Sequence, residues 1–449
     1  MASVRHDLIE SILEPGIFDR ADPDLEAKQL AAAREVFAER KGQIGLLRRR
    51  AEEAGVDEIK SVRDLVPLLF AHTAYKSYPQ SFVDQGRWDR MLQWMQTLSV
   101  DRTDNVNVDG VRDVDDWIHR LRDAGHMVLA TSGSSGKCSF LNHTRGDSAK
   151  KRRHASVAVG WPFVRGAKDR ACFFLGPSDG PNSAIEASQN NAANFGRPGD
   201  IHFLTDEPLL MSEVSKAAAL RTRMAEGTAT PGEIEAFENE AKAKAARMNA
   251  ALDSMTEKIL ARRHEPIYLT GMWAQHMMII DRARKMGIPD GDFNPQCVVS
   301  AGGGVKGVAL PPDYKEQVTK FYGNVVRPTA YGMTEMAQMM PRCECMRYHR
   351  PPGLIWLLLD STGERLLTAA DGPNGVVEGR FGFLDLLYEG RWGGLITGDK
   401  VTIDFASSCP CGRPGPTILD TITRYSQSGD DHIGCAGTID SYIRSSLTQ

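Results

Sequence analysis

Seven consecutive residues, Thr131-Ser132-Gly133-Ser134-Ser135-Gly136-Lys137, hold what a polyphosphate needs. Glycines let backbone N–H groups approach oxyanions, the hydroxyls donate hydrogen bonds, and Lys137 adds a point charge. The stretch is not a Walker loop, because Thr131 stands where that pattern requires glycine. Far downstream, Thr329-Ala330-Tyr331-Gly332-Met333-Thr334-Glu335 follows an apolar run. There Tyr331 suits stacking on a purine, Thr334 a hydrogen bond to phosphate, and Glu335 an oxygen ligand for Mg²⁺. Leu395-Ile396-Thr397-Gly398-Asp399 ends on a carboxylate able to accept both hydroxyls of a ribose. Arg424 suits a contact with ribose or α-phosphate, and Ser300-Ala301-Gly302-Gly303-Gly304 offers bare backbone for a flat ligand. Each piece alone has a plainer meaning: a turn, a glycine loop, a surface arginine. Their strength is in the combination.

A second group is built of soft ligands. Cys343, Cys345, His349, Cys409 and Cys411 fall in two tight sets. Zinc takes four tetrahedral sulfur or nitrogen ligands, and each set can supply two. Five residues compete for four places, so the ligand set stays open, and buried free thiols are the alternative. Such a closed site would brace a subdomain and take no part in a reaction. The eight cysteines of a 449-residue chain without a signal-peptide pattern suggest metal ligation or burial rather than a disulfide framework.

These residues need elements to position them. Residues 1–125 are mainly helical, with 31–53 patterned as one helix and 55–70 as a loop, a short helix and a stop at Pro67. Residues 127–130 form a strand running into the serine-glycine turn. Residues 211–263 form a charged helical hairpin whose second arm opens on a capping box, Thr230-Pro231-Gly232-Glu233. Strands at 267–270, 297–300 and 325–330, with a helix over 273–286 between the first two, imply an α/β sheet with parallel pairing. Further β segments at 353–360 and 376–387 belong to a smaller, more twisted part.

Composition narrows the class. The chain has 54 Lys+Arg against 58 Asp+Glu, a net charge of −4, which argues against nucleic acid as a partner. The basic run Lys150-Lys151-Arg152-Arg153-His154 is expected on a solvated helix face. The longest apolar stretch is too short to span a bilayer. No membrane partner and a cytoplasmic location are expected.

In this order, TSGSSGK, AYGMTE, TGD and a late Asp430-Asp431 element resemble the adenylate-forming superfamily of acyl-CoA synthetases, peptide-synthetase adenylation domains and luciferases. Within it the phenylacetate-CoA ligase branch is the most similar, on the stretches at 55–70, Cys343-Glu344-Cys345, His349 and Cys409-Pro410-Cys411-Gly412-Arg413. The resemblance covers about residues 30–440. It implies an α/β large N-terminal domain of layered sheets flanked by helices, with a smaller β-rich subdomain. The expected divisions are 1–125, helical; 126–340, the nucleotide- and acid-binding core; 341–430, β-rich with the zinc ligands; and 431–449, a truncated hinge.

The family's roles carry over by position. Thr131 to Lys137 cradle the ATP phosphates, Gly302, Gly303 and Tyr331 hold the adenine, and Asp399 takes the ribose hydroxyls. Lys137, Thr334, Glu335 and Arg424 are the catalytic set, with Glu335 the Mg²⁺ ligand, and Gly304, Ala330 and Gly332 line the acid pocket. The implied partners are an aromatic carboxylic acid and a nucleophile, which is CoA, a carrier thiol, or a hydroxyl or amine in a biosynthetic pathway. A homodimer is implied too. The superfamily's mobile C-terminal domain, with its catalytic lysine, would follow Asp431, and the sequence ends at Gln449. Three alternatives stay open: a separate lid or carrier protein supplies that part, the enzyme works without it, or its activity is weak. Two other readings stay open: a fatty-acyl adenylating enzyme similar to acyl-protein synthetases, and a non-catalytic nucleotide or acyl sensor.

Overall fold

A computed structural model describes residues 3–131, 137–303, 309–427 and 433–447. The chain divides into two compact units, Met1–Ala158 with Ala330–Gln449, and Val159–Thr329. The divisions drawn from the sequence follow changes of pattern, whereas these units follow packing, which brings the N-terminal helices onto the late β segments.

The first unit holds a seven-stranded sheet. Its central path runs Arg347–His349, Thr417–Leu419, Gly394–Asp404, Val376–Asp385, Leu354–Leu359. Consecutive members of that path are antiparallel. Phe70–Ala71 joins in parallel beside Leu395–Ile396, and Thr423–Arg424 pairs antiparallel with Asp399–Lys400. Leu354–Leu359 is buried at every position, as expected of a strand covered on both faces. Above the sheet, Phe37 of the helix Leu25–Arg40 meets Trp392 edge-to-face, ring centroids 6.1 Å apart. The single helix expected over 31–53 is two, Leu25–Arg40 and Gly45–Ala54. Gly42 lies in the break, where its backbone freedom disfavours continuing the first helix.

The 127–130 strand is present and pairs with Phe140–His143 as a hairpin, Ala130 opposite Phe140. The basic run lies on the helix Arg145–Ala158, and only part of it is solvated. His154 is fully buried, with Nε2 3.1 Å from the Met339 carbonyl, and Lys150 pairs with Glu389.

The second unit is built on a parallel sheet ordered Gly196–Thr205, Arg170–Pro177, Ile267–Met272, Val298–Gly302. Its helices include the expected hairpin, Met211–Ala225 and Pro231–Ala261, and the Thr230–Glu233 capping box is formed. Trp273–Lys285 is the expected connecting helix. Residues 325–330 do not make the expected strand. Val326 forms a single bridge to Val298, and Pro328, lacking an N–H, cannot extend a ladder.

Candidate active site

Asp399 and Arg424 are directly opposite in an antiparallel pair, so their side chains share a face of the sheet. Arg424 Nε donates to Asp399 Oδ1 at 3.2 Å. The Tyr331 phenol donates to Asp399 Oδ2 at 2.7 Å. Asp399 is itself buried, its backbone N–H donating to Thr397 Oγ1 at 3.0 Å. Burial and the adjacent carboxylate push the Tyr331 phenol well above its ordinary range, so it stays a donor. Tyr331 stands on the two-residue strand Ala330–Tyr331, paired with Met340–Pro341, and its ring packs 5.7 Å from that of Phe381. Three residues separated in sequence thus share one hydrogen-bonded constellation.

Glu335 lies half-buried in the turn after this strand, close enough to Asp399, Arg424 and Arg391 to feel their charges. Burial raises its carboxyl above the usual range, and Asp399 adds to the rise while the two arginines oppose it. Thr334 and Gly332 belong to the same turn, with Ala330 and Gly332 exposed. Two residues that motif reasoning missed hold that turn in place. Asp385, buried, accepts from the Ala337 and Gln338 N–H groups at 2.8 and 3.2 Å, from Gln338 Nε2 at 2.7 Å and from the Leu387 N–H at 3.1 Å. Arg391, 1% exposed, donates to the Glu335 carbonyl at 3.3 Å and lies 3.9 Å from the Tyr388 ring centroid. A buried arginine between aromatic faces is an unusual composition, and Tyr388-Glu389-Gly390-Arg391 was the available signal.

Ser132, Gly133, Ser134, Ser135, Gly136 and Gly304 lie outside the described residues, as do Asp430 and Asp431. Thr131 closes the stem of the hairpin, its N–H donating to the Ser139 carbonyl and its Oγ1 accepting from the Ser139 N–H, both at 3.1 Å. Lys137 leans on Tyr78, with Nζ 4.3 Å from the ring centroid and a hydrogen bond to the Tyr78 carbonyl. In the second unit Gly302 ends the last parallel strand, and Gly303 has φ +82°, a conformation that favours glycine. That is the carboxyl edge of a parallel sheet, where open α/β sheets place ligands.

None of the eight cysteines is in a disulfide, and four of the five soft ligands converge. Ligand atoms of Cys343, His349, Cys409 and Cys411 lie within 4.8 Å of one another, and Cys345 is outside the group. Cys343 Sγ is 3.8 Å from Cys409 Sγ, and Cys411 Sγ is 3.6 Å from His349 Nε2. Usual zinc bond lengths in a regular tetrahedron give edges of about 3.8 Å between sulfurs and about 3.6 Å between sulfur and nitrogen. The donor set therefore fits zinc. Two matching knuckles make it. The Cys343 N–H donates to the Arg347 carbonyl and the Met346 N–H to Cys343, while the Cys409 N–H donates to Arg413 and the Gly412 N–H to Cys409. Met346 and Gly412 occupy the same left-handed corner, with φ of 58° and 84°. Burial lowers His349 to about 4, keeping the imidazole neutral as a ligand must be, and its ring bonds the Pro414 carbonyl behind. Burial raises the Cys411 thiol, but hydrogen bonds from the Arg413 N–H and guanidinium, together with those from Cys409 and Cys343, hold the group below its ordinary value.

No protein-family model and no curated protein matches the sequence. Among solved structures, 2-hydroxyisobutyryl-CoA ligase in complex with 2-HIB-AMP and CoA in the thioesterification state superposes with a TM-score of 0.52 at 14% identity, over 90% of this chain and 69% of that one. The same ligase in the postadenylation state with R3-HIB-AMP gives a TM-score of 0.51 at 14% identity, over 89% and 67%. At such identity the likeness is one of fold. The chain shares the fold of these structures of 2-hydroxyisobutyryl-CoA ligase.

Proposed function

We propose that the protein is an ATP-dependent adenylating enzyme that converts a carboxylic acid, in our reading an aromatic one, to its acyl-AMP. The observation that carries this reading is the Tyr331–Asp399–Arg424 constellation with Glu335 within electrostatic reach, on an adenylate-forming fold. In it, Asp399 accepts the ribose hydroxyls, Tyr331 flanks the adenine, and Arg424 reaches the ribose or α-phosphate. Ala330 and Gly332 line the acid. Ser132 to Lys137, with Thr131 at the hairpin stem, hold the β- and γ-phosphates.

An oxygen of the substrate carboxylate attacks the α-phosphorus, the bond to the β-phosphate bridging oxygen breaks, and pyrophosphate leaves with that electron pair. Thr334, Lys137 and Arg424 face the charge gathering on the phosphoryl oxygens, so the protein contributes position and electrostatics rather than a nucleophile. Glu335, a carboxylate within electrostatic reach of Asp399, suits Mg²⁺, which when bound would neutralise phosphate charge. The acyl-AMP is then open to CoA, a carrier thiol, or a hydroxyl or amine. Zinc at Cys343, His349, Cys409 and Cys411 is structural, a closed four-ligand site with no position left for substrate.

Acid-dependent exchange of labelled pyrophosphate into ATP tests this, across a panel running from benzoates to long-chain fatty acids. Exchange driven by aryl acids is the expected result. Exchange with fatty acids alone would move the enzyme to the acyl-protein synthetase type, and nucleotide binding without any exchange would leave a sensor.

A further inference from the structure

The soft-ligand cluster and the Tyr331–Asp399 pair lie at opposite ends of the same two β excursions. The first excursion starts at Met340–Pro341, the only strand paired with Ala330–Tyr331 among the described residues. It turns through the knuckle of Cys343 and returns as Arg347–His349. The second leaves Gly394–Asp404, the strand that carries Asp399, turns through the knuckle of Cys409 and Cys411, and returns as Thr417–Leu419. The two returning strands pair with each other, His349 opposite Thr417. A metal ion would thus tie the two turns together at one end, while the Tyr331 hydroxyl already ties Asp399 at the other.

Side chains between the ends make the connection stiff. Tyr348, next to the ligand His349, has its ring 6.1 Å from that of Tyr331 and donates to Asp420 Oδ1 at 2.6 Å. Arg347 donates to Asp404 Oδ2 at 2.8 Å, linking the first excursion to the Asp399 strand. Arg413 of the second knuckle forks onto Glu344 of the first, both bonds at 2.8 Å. A packed, ion-paired path of this kind carries coupling between sites.

We propose that the four-ligand metal site governs nucleotide affinity, with Tyr348 as the positioning residue that transmits it, by fixing Tyr331 against Asp399. This rests on the reading of that pair as the nucleoside contact. The metal touches no reacting atom; its occupancy sets how well the nucleoside seat is formed.

The experiment compares the wild-type protein with Cys411→Ser, Cys411→His, Cys345→Ser and Tyr348→Ala. Zinc is measured by elemental analysis, AMP affinity by calorimetry, and folding by circular dichroism, with binding measured well below each thermal transition. Cys411→Ser is expected to lose zinc and to raise the Kd for AMP roughly tenfold, a coupling within the range such paths carry. Cys411→His, which keeps a ligand, should recover both. Cys345→Ser, outside the ligand group, should change neither. Tyr348→Ala should keep zinc and still bind AMP more weakly, which keeps the test decisive if Cys411→Ser does not fold. Folded, zinc-free protein that binds AMP like wild type overturns the proposal, as does an unchanged Kd in Tyr348→Ala. A wild-type protein that binds zinc but no adenine nucleotide overturns the nucleotide reading instead.

Discussion

Asp399 receives a phenol and a guanidinium at once, and each residue of the trio has a distinct replaceable part. Asp399→Asn keeps the shape but removes the charge that both donors and a ribose would use. It is expected to weaken AMP binding about ten- to hundredfold, the value of one or two charge-assisted hydrogen bonds, as measured by calorimetry. A melting temperature that falls while the Kd stays put would assign Asp399 to the fold instead. Glu335 behaves differently, since Arg391 holds the turn through the Glu335 carbonyl rather than through its side chain. Glu335→Gln is therefore expected to lower turnover by about a hundredfold with little loss of stability, because an oriented charge at the phosphates is lost. Turnover within a few-fold of wild type would remove the role given to it.

Elements fix where these side chains stand, and the turn after Tyr331 is the clearest case. Its amides at Ala337 and Gln338 converge on the buried Asp385, with the Leu387 N–H on the other side. Deleting that carboxylate strands several buried donors. Asp385→Ala is expected to cost about 3 kcal/mol or more in chemical denaturation, the range for breaking a buried hydrogen-bond network. Loss below about 1 kcal/mol would mean that solvent reaches those amides. Capping acts at the same scale. The Thr230–Glu233 box satisfies the first turn of Pro231–Ala261, a helix whose N-terminal half is largely exposed and has little packing to stabilise it.

At the scale of the whole molecule, acid sensitivity follows from histidines folded in neutral. His276 is fully buried in the second unit, its Nδ1 2.9 Å from the Tyr322 hydroxyl, and burial lowers it to about 4. The unfolded chain takes up a proton near the ordinary 6.5, and the native state does not until about 4. Between those values the unfolded state binds more protons, so stability falls as pH falls across the window, by as much as about 3 kcal/mol from this residue. Urea midpoints measured through the window should drop for wild type and drop less for His276→Phe. Parallel curves would assign the acid lability to other groups, such as His143 and His154, which burial also lowers. Among the described residues no helix is long and apolar enough to cross a membrane.

The sequence by itself marked out candidate side chains and determined much of the local structure. Tyr331, Glu335, Asp399 and Arg424 stood out because their types suit nucleotide contacts, and the strand at 127–130, the capped helical hairpin and the 273–286 helix followed from hydrophobic period and cap residues, which are local properties. The parallel strands Arg170–Pro177 and Gly196–Thr205 carried no motif, and their partners lie outside any local window. Tertiary structure alone decided that Asp399 faces Arg424 across one register pair and Tyr331 through one phenol. It also decided which of the five soft side chains converge. Cys345 and Cys411 occupy the same place in twin knuckles, yet His349 joins the cluster where Cys345 does not. Spacing along a chain limits which residues can meet, but the distance between two sulfurs is set by how separate hairpins pack, and that is a property of the folded chain.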